Sequence, residues 1–213
     1  METVAGIRIP DSALAKDAHD LAREHSPDFL MGHVDRTFVF GSLATQGAGL
    51  EVDEEIAYVA AILHDLGLTT RHGGERRFEV DGADVARSWA LANGMSDAEA
   101  DQVWQGIALH TSAGIAEARS PECALVHWGA GTDVIGLGMD NYPPAALDAV
   151  HNAFPREGFA EGMADLLETA ALRAPSAYAM TFMSSTVNRL CDAGLPNLED
   201  QLRRDPFEST PPV

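Results

Sequence analysis

The chain has 213 residues, of which 46% are hydrophobic, and a net charge of −19 from 14 basic and 33 acidic residues. A chain of this length can bury a sizeable core as one domain. Its acidity argues against nucleic acid and anionic membranes as partners, because binding phosphate groups requires many basic side chains. A neutral or cationic small molecule meets no such objection.

The sequence also gives expectations about the location of the protein. No apolar run approaches the roughly 20 residues that a membrane helix needs, and the N-terminus lacks the basic and apolar regions of a secretory signal. Cys123 and Cys191 are too few for a disulfide framework. We therefore expect a cytoplasmic protein without a membrane partner, and the sequence leaves room for a homo-oligomer.

Helical periodicity accounts for every long segment, and no stretch alternates with period two between turn signals. The sequence therefore predicts an all-α bundle. In chain order, the start signals of its first six helices are Asp11–Ser12, Ser26–Pro27, Asp53, Asp81, Ser96 with Glu99, and Ser120–Pro121. Stop signals are Asn93–Gly94 and Gly136–Gly138. After Pro143–Pro144, helical patterns cover 145–153, 161–172 and 176–191, and a short amphipathic piece covers 197–204.

The longest apolar run is Ile56–Gly67, IAYVAAILHDLG, which ends in His64 and Asp65. Asp53 caps this predicted helix, and Gly67 suits the left-handed residue that closes one. Burying an imidazole and a carboxylate without partners costs roughly several kcal/mol. A bound cation would satisfy both groups at the negative end of the helix dipole. A histidine on the dipole beside a capping aspartate explains these two residues equally well.

Three other helices each bring one polar candidate to an apolar face, namely His33, His110 and Asp133. Imidazoles and carboxylates without thiolates suit zinc, iron or manganese better than a structural zinc site. A lone histidine on an apolar face is more often a core residue than a ligand. The other histidines are weaker candidates: His127 is rotated away from Asp133 on its helix, and His19, His25 and His151 lie in polar surroundings.

His33, the His64–Asp65 pair and Asp133 together resemble the H…HD…D signature of the HD-domain superfamily of metal-dependent hydrolases. The segments HVDRTFVFG, AAILHDLGLT, RFEVDGA and IALHTSAGIA resemble its cyanamide-hydratase-like branch. In that branch a zinc-bound water adds to the nitrile of cyanamide and gives urea. We expect one HD-type domain over 1–213. The resemblance places its core at about 25–138, and the residue pattern predicts C-terminal helices within 143–204 and a disordered, Pro-ended tail at 205–213.

The resemblance also implies a set of ligands. His33, His64, Asp65 and Asp133 would hold one divalent transition metal, with zinc favoured and iron or manganese as alternatives. His110 matches the position of a second-metal ligand or a substrate-facing histidine. We expect one metal, because no second histidine on the helix that starts at Ser120–Pro121 faces as Asp133 does.

Roles follow for the residues around the predicted metal. Asp65 would ligate the metal and orient its water, and His110 or Glu79 would donate a proton to the substrate nitrogen. The predicted substrate-binding residues are Arg36, His72, Thr111 and Ser112. Three alternatives stay open: Glu79 pairs with Arg76 or Arg77, Thr111 and Ser112 form a turn, and Arg36 reaches Asp65 or Asp133 instead of substrate.

Phosphate-ester hydrolysis is the main alternative function. Arg71, His72, Arg76 and Arg77 form the one locally basic run, and arginine binds phosphate bidentately. A di-iron oxygenase is a third hypothesis and would need His110 as an iron ligand. A binding module that keeps the metal as a scaffold is a fourth.

Overall fold

The computed structural model describes residues 3–179 and 181–191, and it confirms the prediction of an all-α fold. The helices are α1 Ala13–His25, α2 Asp28–Gly47, α3 Glu54–Leu63, α4 Phe78–Ala92, α5 Asp97–Leu109, α6 Ala116–Arg119, α7 Pro121–Ile135, α8 Pro144–Ala153, α9 Phe159–Arg173 and α10 Ser184–Cys191. Single 3-10 turns cover Leu66–Leu68, Met139–Asn141 and Pro175–Tyr178. An antiparallel hairpin of β1 Thr3–Val4 and β2 Ile7–Arg8 precedes them. Within the described part of the chain, no helix combines the length and hydropathy needed to cross a membrane.

Most predicted helix starts are confirmed, because a side chain near each start accepts a free backbone N–H. Ser12 accepts from Ala15, Asp53 from Glu55 and Ile56, and Ser120 from Cys123. Ser96 and Glu99 form the predicted capping box. Gly94 and Gly136, with φ of 93° and 72°, occupy the left-handed conformation at the predicted helix ends.

Three predicted boundaries are wrong. Pro27 is the N-cap of α2 without a side-chain cap, and Ser26 instead ends α1. α4 begins at Phe78, and Asp81 lies inside it, because its carboxylate accepts hydrogen bonds from the Gly74 N–H and the Arg76 guanidinium of the preceding loop. The predicted helix over 176–191 is a 3-10 turn followed by α10. The predicted helix 197–204 and tail 205–213 lie outside the described residues.

Gly67 does not close α3 with a left-handed residue, which corrects another prediction. The helix ends at His64 in the right-handed region, and Gly67 belongs to the following 3-10 turn. A Cβ atom on Gly67 would lie 2.0 Å from the carbonyl oxygen of Phe78. Glycine is therefore required here because α4 approaches the turn directly after His64 and Asp65.

Two hydrophobic clusters hold the helices together. The first core joins α1–α5, α7 and α8 and is rich in fully buried alanines, whereas the second core joins α9 and α10 to a few residues of α2, α4 and the turn after α3. Within the first core α2 and α7 nearly touch: a Cβ on Gly129 would lie 1.9 Å from the Thr37 carbonyl oxygen, and one on Gly41 would lie 2.2 Å from that of Leu125. This close approach sets His33 beside Asp133.

Candidate metal centre

His33 from α2 meets His64 and Asp65 from the end of α3 at one buried point. The three residues are 1%, 0% and 3% exposed, respectively. The two Nε2 atoms lie 3.2 Å apart. Oδ2 of Asp65 lies 3.4 Å from Nε2 of His33 and 3.3 Å from that of His64. Three of the four predicted ligands thus present their ligand atoms within 4.8 Å of one another.

Hydrogen bonds on the far side of each ring determine what faces this point. The Nδ1–H of His33 donates to Oδ2 of Asp133 at 2.7 Å, and the Nδ1–H of His64 donates to the Ala61 carbonyl at 2.7 Å. Because a carbonyl or carboxylate oxygen only accepts, the neutral rings carry their hydrogen on Nδ1 and turn Nε2 lone pairs toward each other. Two imidazole lone pairs and a carboxylate therefore converge without a donor among them. A divalent cation satisfies all three.

The pKa shifts at the centre differ between the two histidines, and the shift of Asp65 keeps its carboxylate ionised. Burial lowers the pKa of His33 and outweighs the opposing effect of its hydrogen bond to Asp133. Burial also lowers the pKa of His64, but the Asp65 charge outweighs it and the net shift is upward. For Asp65, burial raises the pKa, yet the charge and hydrogen bond of His64 hold it well below the usual range. An ionised carboxylate beside imidazoles is a donor set that zinc, iron and manganese accept.

Asp133, predicted as the fourth ligand, lies outside this group of ligand atoms. Its carboxylate contacts the opposite nitrogen of the His33 ring and is clamped by Arg36, whose Nε and Nη2 donate at 2.8 and 2.9 Å, and by Arg156. These contacts make Asp133 the carboxylate that orients a ligating histidine, an arrangement common around protein metals. The sequence showed that a buried aspartate needs a partner, and the partners here are cations and His33.

Arg36 was predicted to bind substrate, and the structure corrects this. The residue is completely buried. Besides Asp133, it donates from Nη1 to the carbonyl oxygens of Phe154 and Pro155. Arg36 is therefore a structural partner of Asp133, which was the alternative that the sequence left open.

Sequence reasoning missed Arg156 and Phe159, which reach the centre from the start of α9. Phe159 stacks on His33 with ring centroids 5.1 Å apart, and the guanidinium carbons of Arg36 and Arg156 lie 5.2 and 4.4 Å from its ring centre. The only available signal was the unpaired charge of Asp133, and that signal does not say where in the chain a second arginine lies.

His110 ends α5 beside the centre, as predicted. Its Nδ1–H donates to the Ile107 carbonyl at 2.6 Å, and its Nε2 lies 3.8 Å from Oδ1 of Asp65. Burial, and to a smaller extent the nearby His64, lowers the pKa of His110 to about 4. At neutral pH, Nε2 therefore faces the site as a proton acceptor, whereas the sequence predicted a donor.

Glu79 lies in the first turn of α4 rather than in a loop. It is fully buried, and its Oε1 accepts hydrogen bonds from Arg77 at 2.5 Å and from the Thr111 hydroxyl at 2.6 Å. Its Oε2 has no partner among the described residues. Thr111 lines the cavity beside the centre, so Glu79 lies behind the wall that Thr111 forms. The pairing with Arg77 was the alternative left open by the sequence.

Two predicted substrate contacts lie away from the cavity. Ser112 forms a turn, in which its N–H donates to the Leu109 carbonyl at 2.7 Å and its own carbonyl accepts from Ala116 at 3.0 Å. His72 packs edge-on against His25, with ring centroids 4.7 Å apart. Neither lines the cavity, because the loops that carry them close on backbone and ring contacts of their own.

A cavity of about 870 Å³ leads to the centre. His33, His64, Asp65 and His110 form its polar end. Its other walls are mainly apolar and include Leu43, Leu68, Phe78, Trp128, Val134, Ile135, Leu137, Met163, Leu167 and Phe182. Glu117 and His127 also line it, and His127, a weaker ligand candidate in the sequence, is not one of the three clustered ligands. No lysine or arginine occurs among the described residues of the wall.

The basic loop lies outside the cavity. Arg76 is exposed and pairs with Asp81 and Asp84 at 2.9 and 2.8 Å. Arg77 pairs with Glu79 and donates to Thr111 at 2.9 Å. The guanidinium groups that the phosphate hypothesis needed are thus engaged with carboxylates of α4 or turned to solvent.

Comparison with known families identifies the helical unit that carries the centre. The sequence profile of the HD domain matches residues 15–133, more than half of the chain. The chain belongs to the HD domain family. HD domains bind divalent metals and are generally metal-dependent hydrolases, and His33, His64 and Asp65 provide the corresponding cluster. The match ends at Asp133, so α8–α10 lie outside it. A search of curated proteins finds no match.

Proposed function

We propose that this HD-domain protein is a metal-dependent hydratase or hydrolase that adds water to an uncharged, mainly apolar molecule, with nitriles as the first class to test. The observation that carries the proposal is the cavity: its described wall is mainly apolar, holds no lysine or arginine, and ends at the three converging acceptors. Resemblance of four sequence segments to the cyanamide-hydratase-like branch supports the choice of nitriles.

The residues have separable tasks in this proposal. His33, His64 and Oδ2 of Asp65 would hold the cation, which when bound lowers the pKa of a water molecule to about 7. The second oxygen of Asp65 faces His110 and orients the attacking water. Nε2 of His110 accepts the proton that the water loses. The same proton then passes to the nitrogen of the nitrile, so that one water is added and nothing else is consumed.

Two features bear on the choice of substrate. A phosphate ester carries negative charge that this cavity does not match, because Arg76 and Arg77 are paired elsewhere. Cyanamide has only three heavy atoms and would fill little of about 870 Å³. A larger organic nitrile uses the apolar wall, which contributes roughly 25 cal/mol for each Å² of apolar surface buried.

The test is a turnover panel combined with metal analysis on one preparation. Cyanamide, benzonitrile, p-nitrophenyl phosphate and a nucleotide are incubated with protein whose metal content is measured by mass spectrometry. We expect amide formation from benzonitrile that depends on the metal and is absent in His64→Ala. The exposed His151→Ala variant is the matched control and should behave as wild type. Phosphate release without nitrile turnover would replace this proposal with a phosphohydrolase.

A further inference from the structure

Glu117 of α6 and His127 of α7 form a second polar pair in the cavity wall, beside the backbone of His110. The Nδ1–H of His127 donates to the His110 carbonyl at 2.6 Å, and its Nε2 lies 3.3 Å from Oε1 of Glu117. Oε2 of Glu117 accepts the Gly114 N–H at 2.6 Å. His127 is only 7% exposed, whereas the Glu117 side chain is 29% exposed.

These bonds determine what the pair offers to a ligand. Because the His110 carbonyl only accepts, Nδ1 of His127 must carry a hydrogen. Nε2 of His127 lies against Oε1 of Glu117 at 3.3 Å and holds that side of the carboxylate in place. The Nδ1 hydrogen of His127 is therefore used within the protein. Lone pairs of the Glu117 carboxylate remain, so the pair presents an acceptor to the cavity.

The rest of the wall makes this acceptor distinctive. Asp65 is the other carboxylate of the described wall, and it belongs to the metal centre. Between the two carboxylates the wall is mainly apolar. A ligand spanning the cavity would place one end at the centre and a hydrogen-bond donor at Glu117. A donor that reaches Glu117 gains a hydrogen bond to a carboxylate, so a ligand without a donor binds less well.

We infer that the His127–Glu117 pair recognises an N–H-bearing end of the substrate, such as an amine or amide, opposite the end that reacts. The inference rests on the proposed function, and it narrows the substrate class to apolar molecules with an N–H donor remote from the reacting group. His127 acts here as a positioning residue, because its ring contacts the carboxylate of Glu117 and is itself held by the His110 carbonyl.

The experiment uses ligands that contain no reactive group, so that it stays separate from the test of catalysis. Binding of 4-methylbenzylamine and 4-methylanisole, which match in size but differ in the N–H donor, is measured by calorimetry on the metal-loaded protein. We expect the amine to bind at least about tenfold more tightly, the scale of one charge-assisted hydrogen bond. In Glu117→Gln this advantage should fall below about threefold, while 4-methylanisole binds as before.

Glu161→Gln, an exposed glutamate on α9, is the matched control and should keep the full advantage of the amine. Equal binding of the two ligands by the wild-type protein would overturn the inference, whatever the variants do. A lower melting temperature in Glu117→Gln with an unchanged advantage would also overturn it, since the pair would then only brace the turn before α6. Amine selectivity without nitrile turnover would retain this site and remove the proposed function.

Discussion

The segment that matches the HD domain and the helices that follow it contribute to the site in different ways. The HD segment supplies His33, His64 and Asp65 from helices locked into the alanine-rich first core. The region after the family match supplies Phe159 and Arg156, which contact His33 or its partner Asp133, and it adds Met163, Leu167 and Phe182 to the cavity wall. The ligands are thus held by the family's own fold, whereas the shape of the cavity depends on a region outside the family match.

The largest effect should come from substituting His64 in the segment that matches the HD domain. His64→Ala removes one of three converging ligands, so metal content should fall from about one cation per chain to nearly none. The melting temperature should fall too and lose its dependence on added metal, because a bound cation stabilises only the folded state. Mass spectrometry and thermal unfolding measure both effects. Full occupancy in His64→Ala would refute the ligand assignment.

Substituting His110 tests whether the HD segment binds one metal or two. His110→Ala should keep its metal, since His33, His64 and Asp65 remain, while turnover falls by roughly a hundredfold or more, as expected for a lost acid or base. Metal stoichiometry and rate are measured on the same sample. Metal content reduced by half would instead assign His110 to a second cation, and unchanged content with unchanged turnover would leave it as a core histidine.

The rigidity of the first core can be tested at the contact between α2 and α7. Gly129→Ala places a Cβ 1.9 Å from the Thr37 carbonyl oxygen. We expect the free energy of unfolding in denaturant to fall by about 3 kcal/mol or more, because backbone must move to admit the methyl group. Gly47→Ala, at the end of the facing helix α2, is the control: its Cβ meets nothing within 4 Å, so stability should hold or rise slightly. Equal effects of the two changes would contradict the close packing.

Substituting Arg156 tests how strongly the region after the family match influences metal affinity. Arg156→Gln leaves Asp133 with Arg36 but removes the contact from the loop before α9. We expect metal affinity to weaken by about tenfold, the lower end for residues that support a ligand. Competition with a fluorescent chelator gives the affinity. Arg189→Gln, which breaks an exposed pair with Glu168, is the control. Unchanged affinity would mean that metal binding depends on the HD segment and not on Arg156.

The smallest effect concerns the attachment of the two regions through Tyr178, whose hydroxyl accepts the Phe78 N–H at 2.7 Å. Burial raises the pKa of Tyr178 to about 12. The unfolded tyrosine ionises near pH 10, so stability present below that pH is lost as pH rises toward 12. At about pH 10.5 the loss should be roughly 1 kcal/mol, or a few degrees of melting temperature. Tyr178→Phe should be less stable at neutral pH but lack this part of the alkaline loss.

Local signals predicted much of this fold, and long-range contacts explain most errors. The caps at Ser12, Ser96 and Ser120 were predictable because each bond joins residues three apart. Asp81 was predicted as a cap by the same rule, but its carboxylate instead accepts hydrogen bonds from Gly74 and Arg76. Of the candidate site, the cluster of His33, His64 and Asp65 was predictable from apolar faces and the H…HD pattern. Of the arginine clamp on Asp133, the contact of Arg36 was an alternative that the sequence left open, whereas Arg156 was missed because no local pattern links it to an aspartate 23 positions away.

The depth of the metal cluster also governs how quickly a cation is exchanged. His33, His64 and Asp65 are at most 3% exposed and lie at the end of an apolar cavity. An incoming ion must shed its hydration shell along this route, and stripping water from a charge is costly before the ligands compensate for it. We therefore expect a cation to load fastest while the helices assemble and to exchange slowly afterwards.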